Sequence, residues 1–153
     1  MKTLAIGTDH AGVALKDRIA ERLRARGCVV LDCGNVDETP SDYPDIALRV
    51  AEAVAGDEAE AGLLVCGTGI GMSIAANKVP GVRAALCASV EAARLSRSHN
   101  DANVLVLAGR DGEADDPFAI VDAWLAEPFS GEARHARRLE KIRAYETARR
   151  ERV

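Results

Sequence analysis

Five short apolar runs, each separated from the next by a segment of helical patterning, constrain this chain more than any other feature. They cover residues 3–8, 28–31, 63–66, 82–87 and 104–108. Strands this apolar are buried on both faces, and strands that alternate with helices pair in parallel. The pattern predicts a three-layer α/β/α sandwich, a Rossmann-like doubly wound fold with a five-stranded parallel sheet. Helices are expected over 14–26, 46–54, 72–76, 90–98 and 118–126, with an extra C-terminal helix over about 132–152. Gly27 stops the first, Pro80-Gly81 breaks the third, and Asp116-Pro117 supplies a cap and first residue for the fifth. No repeat or linker interrupts the pattern, so residues 1–153 read as a single domain.

Ligands of doubly wound sheets bind beyond the carboxyl ends of the strands. Three turns fall on that edge: Asp9-His10-Ala11-Gly12 after the first strand, Cys66 to Gly71 after the third, and Arg110 after the fifth. The second carries Gly67, Gly69 and Gly71 between a strand and a helix. That geometry leaves backbone N–H groups pointing outward, able to hold an anion or an oxygen developing negative charge. GTGIG matches neither GxGxxG nor GxxxxGK[ST], so turn chemistry alone leaves a bound phosphate or carbonyl level with a merely tight turn. Cys66 taken alone reads first as a small buried hydrophobe; beside those donors it is also a potential base.

Two features belong elsewhere on the molecule. His99 follows the helix that returns from the fourth strand, which puts it at the opposite edge of the sheet. Spacing alone favours a histidine interacting with the last carbonyls of its helix. The alternative is that it completes the site of a neighbouring subunit, so that a symmetric dimer carries two composite sites. In the basic last helix, Arg134 and Arg138 are four apart and share a face. They read as a solvated face, or as two guanidiniums gripping a phosphate across a dimer interface.

Composition narrows the classes. The chain has 20 Lys and Arg against 24 Asp and Glu, a formal charge of −4, which speaks against general nucleic-acid binding. No apolar run approaches the roughly 20 residues of a membrane helix. The N-terminus enters a strand directly, without a secretory segment. Cys28, Cys33, Cys66 and Cys87 lack CxxC spacing, which favours reduced thiols in a cytoplasm over a disulfide framework or zinc site.

Taken together the residues resemble the RpiB/LacAB sugar-phosphate isomerase family. The resemblance rests on Asp9-His10-Ala11-Gly12, Asp42-Tyr43-Pro44-Asp45, the block from Cys66 to Lys78, Leu95-Ser96-Arg97, the block from His99 to Val104, and Arg134 with Arg138. These run in order over nearly the whole chain. The resemblance implies an aldose–ketose isomerase acting on ribose 5-phosphate and ribulose 5-phosphate through a cis-enediol or enediolate, with no cofactor and no metal. It implies Cys66 as the base, Thr68 as an aid to proton movement at the oxygens, and His99 of a partner subunit opening the sugar ring. It also implies that Gly67, Gly69 and Gly71 hold the oxyanion. Asp9, His10, Tyr43, Ser73, Asn100 and Arg110 would line the sugar-phosphate site, with Arg134 and Arg138 on the phosphate. A homodimer is implied, and a tetramer of paired dimers is open.

The residue types suit that chemistry. A thiolate is a competent base for a weakly acidic C–H, but free cysteine has a pKa of about 8.5 and needs a helix N-terminus to favour its charged form. One branch of the family carries its base as glutamate at the position of Met72, which leaves the cysteine route here. A branch acting on four-carbon sugars lacks the Asp-His pair and the ring-opening histidine. Both are kept in this chain, which favours a five- or six-carbon substrate. Ala88-Ser89-Val90-Glu91 and Leu107 to Arg110 depart from the usual pattern, so allose 6-phosphate or galactose 6-phosphate is the alternative. A non-catalytic sugar-phosphate sensor would need Arg134, Arg138 and the glycine turn but neither Cys66 nor His99.

Overall fold

The computed structural model describes residues 2–34, 39–109 and 114–151. Its elements in chain order are β1 (Thr3–Thr8), α1 (Val13–Ala25), β2 (Val29–Asp32), α2 (Tyr43–Ala55), β3 (Ala61–Cys66) and α3 (Ile70–Ala76). They continue as β4 (Ala84–Leu86), α4 (Val90–Asn100), β5 (Val104–Ala108), α5 (Pro117–Ala126) and α6 (Ala133–Arg150). The strands form one sheet in the order β2-β1-β3-β5-β4, and every pairing is parallel. The expected α/β sandwich with its extra C-terminal helix is the fold observed.

Strand pleating divides the interior into two cores. Leu4, Ile6, Leu63, Val65, Leu105 and Leu107 face α1, α4 and α5, where they meet Ile19, Leu23, Ala93, Ile120 and Trp124. Ala5, Leu64, Cys66, Val104 and Val106 face α2 and α3, against Ile46, Val50, Val54, Met72 and Ala76. Each large apolar side chain buried this way stabilises the fold by roughly 1.5–3 kcal/mol.

Several boundaries differ from the expected ones for identifiable reasons. α2 begins at Tyr43 rather than at residue 46, because Pro44 fits the first helical turn, where its missing N–H is not needed. β4 is shorter than the expected 82–87. The N–H of Val82 turns back to the carbonyl of Val79, and that of Arg83 is taken by the Asn103 side chain at 2.7 Å. α4 extends past residue 98, so His99 and Asn100 occupy its last turn. Asp101 then ends the helix in the left-handed region at φ 44°, its N–H on the carbonyl of Arg97.

α6 docks by a single face. His135 and Leu139, four residues apart, are buried, while Arg134, Arg137, Arg138 and Tyr145 are exposed. Among the described residues the helix packs against α4, and its Glu146 accepts the Gly81 N–H at 3.0 Å. Among the described residues no helix is long and apolar enough to cross a membrane.

Candidate active site

The strand order makes β1, β3 and β5 neighbours at the middle of the sheet. The turns that follow them therefore meet at the carboxyl edge. Cys66 is the last residue of β3, paired with Ala108 of β5, and its carbonyl accepts the Gly109 N–H at 2.7 Å. Its side chain is 5% exposed and points into the α2–α3 side of the sheet. The N–H of Gly69 donates to Cys66 Sγ at 3.0 Å.

That contact depends on an unusual backbone. Gly69 lies at φ 75°, where a side chain is strained, and a Cβ there would stand 2.4 Å from Leu86 Cδ1. Thr68, exposed on the same turn, accepts the Ile70 N–H on Oγ1 at 3.3 Å. Ser73 is half-buried in α3, its N–H on the carbonyl of Gly69 at 3.0 Å. A Cβ at Gly71 would meet the Tyr43 ring at 2.7 Å. The glycine thus lets the aromatic ring lie against the turn, and it brings the loop before α2 into the site.

The turn after β1 is equally fixed. Asp9, 8% exposed, accepts the Ala11 N–H on Oδ1 at 3.0 Å, and Thr8 Oγ1 donates to the Asp9 carbonyl at 2.9 Å. His10 follows, exposed, with the Ser41 N–H directed at its Nδ1 across 3.5 Å. An open cleft of about 510 Å³ runs along this edge, lined by His10, Gly12, Arg18, Thr68, Leu86 and Asp115 among others. Cys66 is not among the residues that line it; its side chain packs in the α2–α3 core. Arg110, expected in the site, lies outside the described residues.

The remaining expected residues are elsewhere. α4 ends just before β5 begins, so His99 and Asn100 lie at the amino edge of the sheet, as their sequence position predicts. The His99 ring packs on His135 with centroids 4.2 Å apart. The Asn100 carbonyl accepts from Arg83 Nε at 3.0 Å. Arg134 and Arg138 are exposed on α6, Arg134 bonded through Nε to Glu132 at 2.8 Å. One chain therefore brings together Asp9, His10, Tyr43, Cys66, Thr68, Ser73 and the three glycines. It does not bring His99, Asn100, Arg134 or Arg138 to them.

Three charged or polar residues that sequence reasoning missed have structural weight. Lys16 is 1% exposed, its Nζ 2.6 Å from Asp32 Oδ2 and 3.1 Å from Asp17 Oδ1. Burial pulls its ammonium pKa down, but the bonds and charges of Asp32 and Asp17 outweigh this and hold it above the ordinary lysine value. Lys16 shares a helical stripe with Ile19, Ala20 and Leu23, but the stripe alone does not tell a buried lysine from a solvated one. Arg83 reaches the carbonyls of Asn100 and Asp101 and the Asp101 carboxylate, and with Arg97 it anchors the end of α4. No pattern in the sequence marks it. His135 shares the only buried stripe of the described α6 with Leu139. Burial raises the Cys33 and Cys87 thiols above the ordinary range. Among the described residues no group of three or more His, Cys, Asp or Glu is placed to hold a metal ion.

Comparison with known proteins shows the family and the fold. The family described as ribose/galactose isomerase matches residues 4–142. Ribose-5-phosphate isomerase B of Escherichia coli K12 is 47% identical over 149 residues, 97% of this chain and 99% of that one. A solved ribose-5-phosphate isomerase B from Clostridium thermocellum superposes with a TM-score of 0.91 at 49% identity, covering 95% of this chain and 98% of the other. The enzyme from Mycoplasma genitalium, solved with bound ribulose-5-phosphate, gives a TM-score of 0.88 at 43% identity, over 95% and 96% of the two chains. This chain is an isomerase, and it belongs to the ribose/galactose isomerase family.

Proposed function

We propose that this isomerase interconverts ribose 5-phosphate and ribulose 5-phosphate through a cis-enediolate, with Cys66 as the base. The observation that carries the assignment is the 3.0 Å contact from the Gly69 N–H to Cys66 Sγ at the carboxyl edge of β3. It gives a sulfur anion a backbone donor, in a turn whose other amides can serve an oxyanion. Met72, the alternative base position, is fully buried in the α2–α3 core, where it supports the turn from below.

The reaction then divides between two subunits of a homodimer. His99 of one subunit protonates the ring oxygen O4 of the furanose bound to the other, the C1–O4 bond breaks, and the O1 proton leaves to solvent. The Cys66 thiolate takes the proton from C2 of the open aldose, and the C1 oxygen becomes the enediolate oxygen held by the glycine turn. Thr68 moves a proton between O1 and O2, and the thiol returns its proton to C1 to give the ketose. Arg134 and Arg138 of the partner helix hold the phosphate with His10, Tyr43, Ser73, Asn100 and Arg110 around the sugar. Asp9 fixes the turn that presents His10. No cofactor or metal enters this scheme, and the cytoplasm, where pentose phosphates and reduced thiols coexist, is its setting. Support for a pentose comes from the two ribose-5-phosphate isomerase B relatives and from the ribulose-5-phosphate held by the Mycoplasma genitalium enzyme.

The test is turnover of the purified, metal-free protein on ribose 5-phosphate and, in parallel, on allose 6-phosphate and galactose 6-phosphate. Ribose 5-phosphate should be preferred, and Cys66→Ser should remove nearly all turnover while leaving the fold intact. Activity confined to a hexose phosphate would move the substrate and keep the mechanism. Full activity in Cys66→Ser would place the base on another residue.

A further inference from the structure

α6 buries two side chains against the body of the chain, and one of them is a histidine. His135 is 2% exposed, and its ring centroid stands 4.2 Å from that of His99 with the planes inclined at 39°. Ser130 ties the two helices at this point. Its N–H donates to the carbonyl of Ser98, one residue before His99, at 3.0 Å. Its Oγ lies 2.8 Å from His135 Nδ1 and accepts the Glu132 N–H at 3.3 Å. One serine therefore fixes the last turn of α4 against the first turn of α6.

Filling a gap with a buried imidazole costs more than filling it with an apolar side chain, because the ring nitrogens must be paired. One turn further along the same face, Leu139 fills the equivalent gap with leucine. The polar ring at 135 is spent where the neighbour is His99.

We propose that His135, held by Ser130, is a positioning residue for sugar-ring opening: it fixes the plane of the His99 imidazole at the acid–base step. The proposal rests on the assignment of ring opening to His99. Two imidazolium rings at this separation would repel each other. Burial first, then the charges of His99, Arg134 and Arg138, drive His135 toward its neutral form, against a weaker opposing pull from Glu132. His99 is the more exposed ring of the pair and the one assigned to the substrate.

Two rates separate this role from simple packing. Isomerisation of ribose 5-phosphate requires the ring to open. Entry of solvent deuterium at C1 of ribulose 5-phosphate, an open-chain ketose, requires only the Cys66 and enediolate steps. His135→Phe keeps the ring stack and volume, and Ser130→Ala removes the hydroxyl that holds His135 and the Glu132 N–H while keeping the backbone bond to Ser98. Each should lower kcat on ribose 5-phosphate by about tenfold with KM within about twofold, while deuterium entry stays within about twofold of wild type. His99→Ala should show the same split, more deeply. A parallel fall of both rates in His135→Phe and Ser130→Ala, or no fall in either, overturns the proposal. If His99→Ala itself slows both rates together, the ring-opening assignment fails and the proposal falls with it. No turnover of ribose 5-phosphate by the wild type would overturn the substrate reading first.

Discussion

At Gly69 a donor, a backbone conformation and a packing contact coincide. Its N–H serves the Cys66 sulfur, its φ of 75° disfavours any side chain, and the space beside it belongs to Leu86 and the Leu107 carbonyl. Gly69→Ala would meet a left-handed penalty of roughly 1–2 kcal/mol, and relief of the Leu86 clash would rotate the N–H off the sulfur. Thermal unfolding should shift by only a few degrees, whereas turnover should fall at least ~100-fold, on the scale of a lost oxyanion donor. Steady-state kinetics beside a melting curve checks both. At the residue scale the turn was legible where the backbone announces it: three glycines behind a strand set the contacts of Cys66 and Thr68. Lys16 and His135 were not, because a buried polar residue on an apolar stripe reads as a solvated one until its partners, Asp32 and Ser130, are placed beside it.

Between elements, the clearest electrostatic tie joins α5 to α1. Asp122 accepts from Arg22 Nη2 at 2.6 Å and from Arg26, and the Arg22 hydrogen bond is the main reason its carboxyl is held below the usual range. A carboxylate depressed in the folded state contributes stability that is present above the unfolded value, near pH 4, and lost as pH falls through the folded one. Asp122→Asn should therefore lower stability by up to about 1 kcal/mol at pH 7, in keeping with its half-exposed partners. The gap between wild type and variant should close as pH falls below about 4, read as Tm against pH. Element types were legible because apolar runs and helical stripes differ in period; the ends were less so. α2 starts at Tyr43 because a proline in a polar loop can open a helix as well as break one, and β4 loses Arg83 to the Asn103 side chain, a contact 20 residues away in sequence.

For the whole molecule, topology sets the question of how many chains make a site. Parallel strands put Cys66 and His99 at opposite edges of one sheet, and this was legible from the order of elements alone. What covers the exposed face of α6 was not, since a terminal helix with two buried residues looks the same whether it points into water or toward another subunit. The composite-site reading makes a direct prediction. Cys66→Ala and His99→Ala homodimers should each be nearly inactive. After subunit exchange, hybrid dimers carry one intact and one doubly damaged site, and an equimolar mixture should recover about a quarter of wild-type activity, from half the dimers with one site of two. Recovery is read as turnover after exchange verified by mass spectrometry. No recovery would place each site within a single chain.

The pleat of β3 has a consequence for how such a chain can change over generations. Cys66 faces the α2–α3 core with Leu64, while Leu63 and Val65 face the other way. Insertion or loss of one residue within the strand would turn the sulfur to the wrong side of the sheet and exchange the two cores at once. Heritable length changes in this strand must therefore come in steps of two, while the surface turns can vary by single residues. The Cys66 sulfur is tied to a parity as well as to a position.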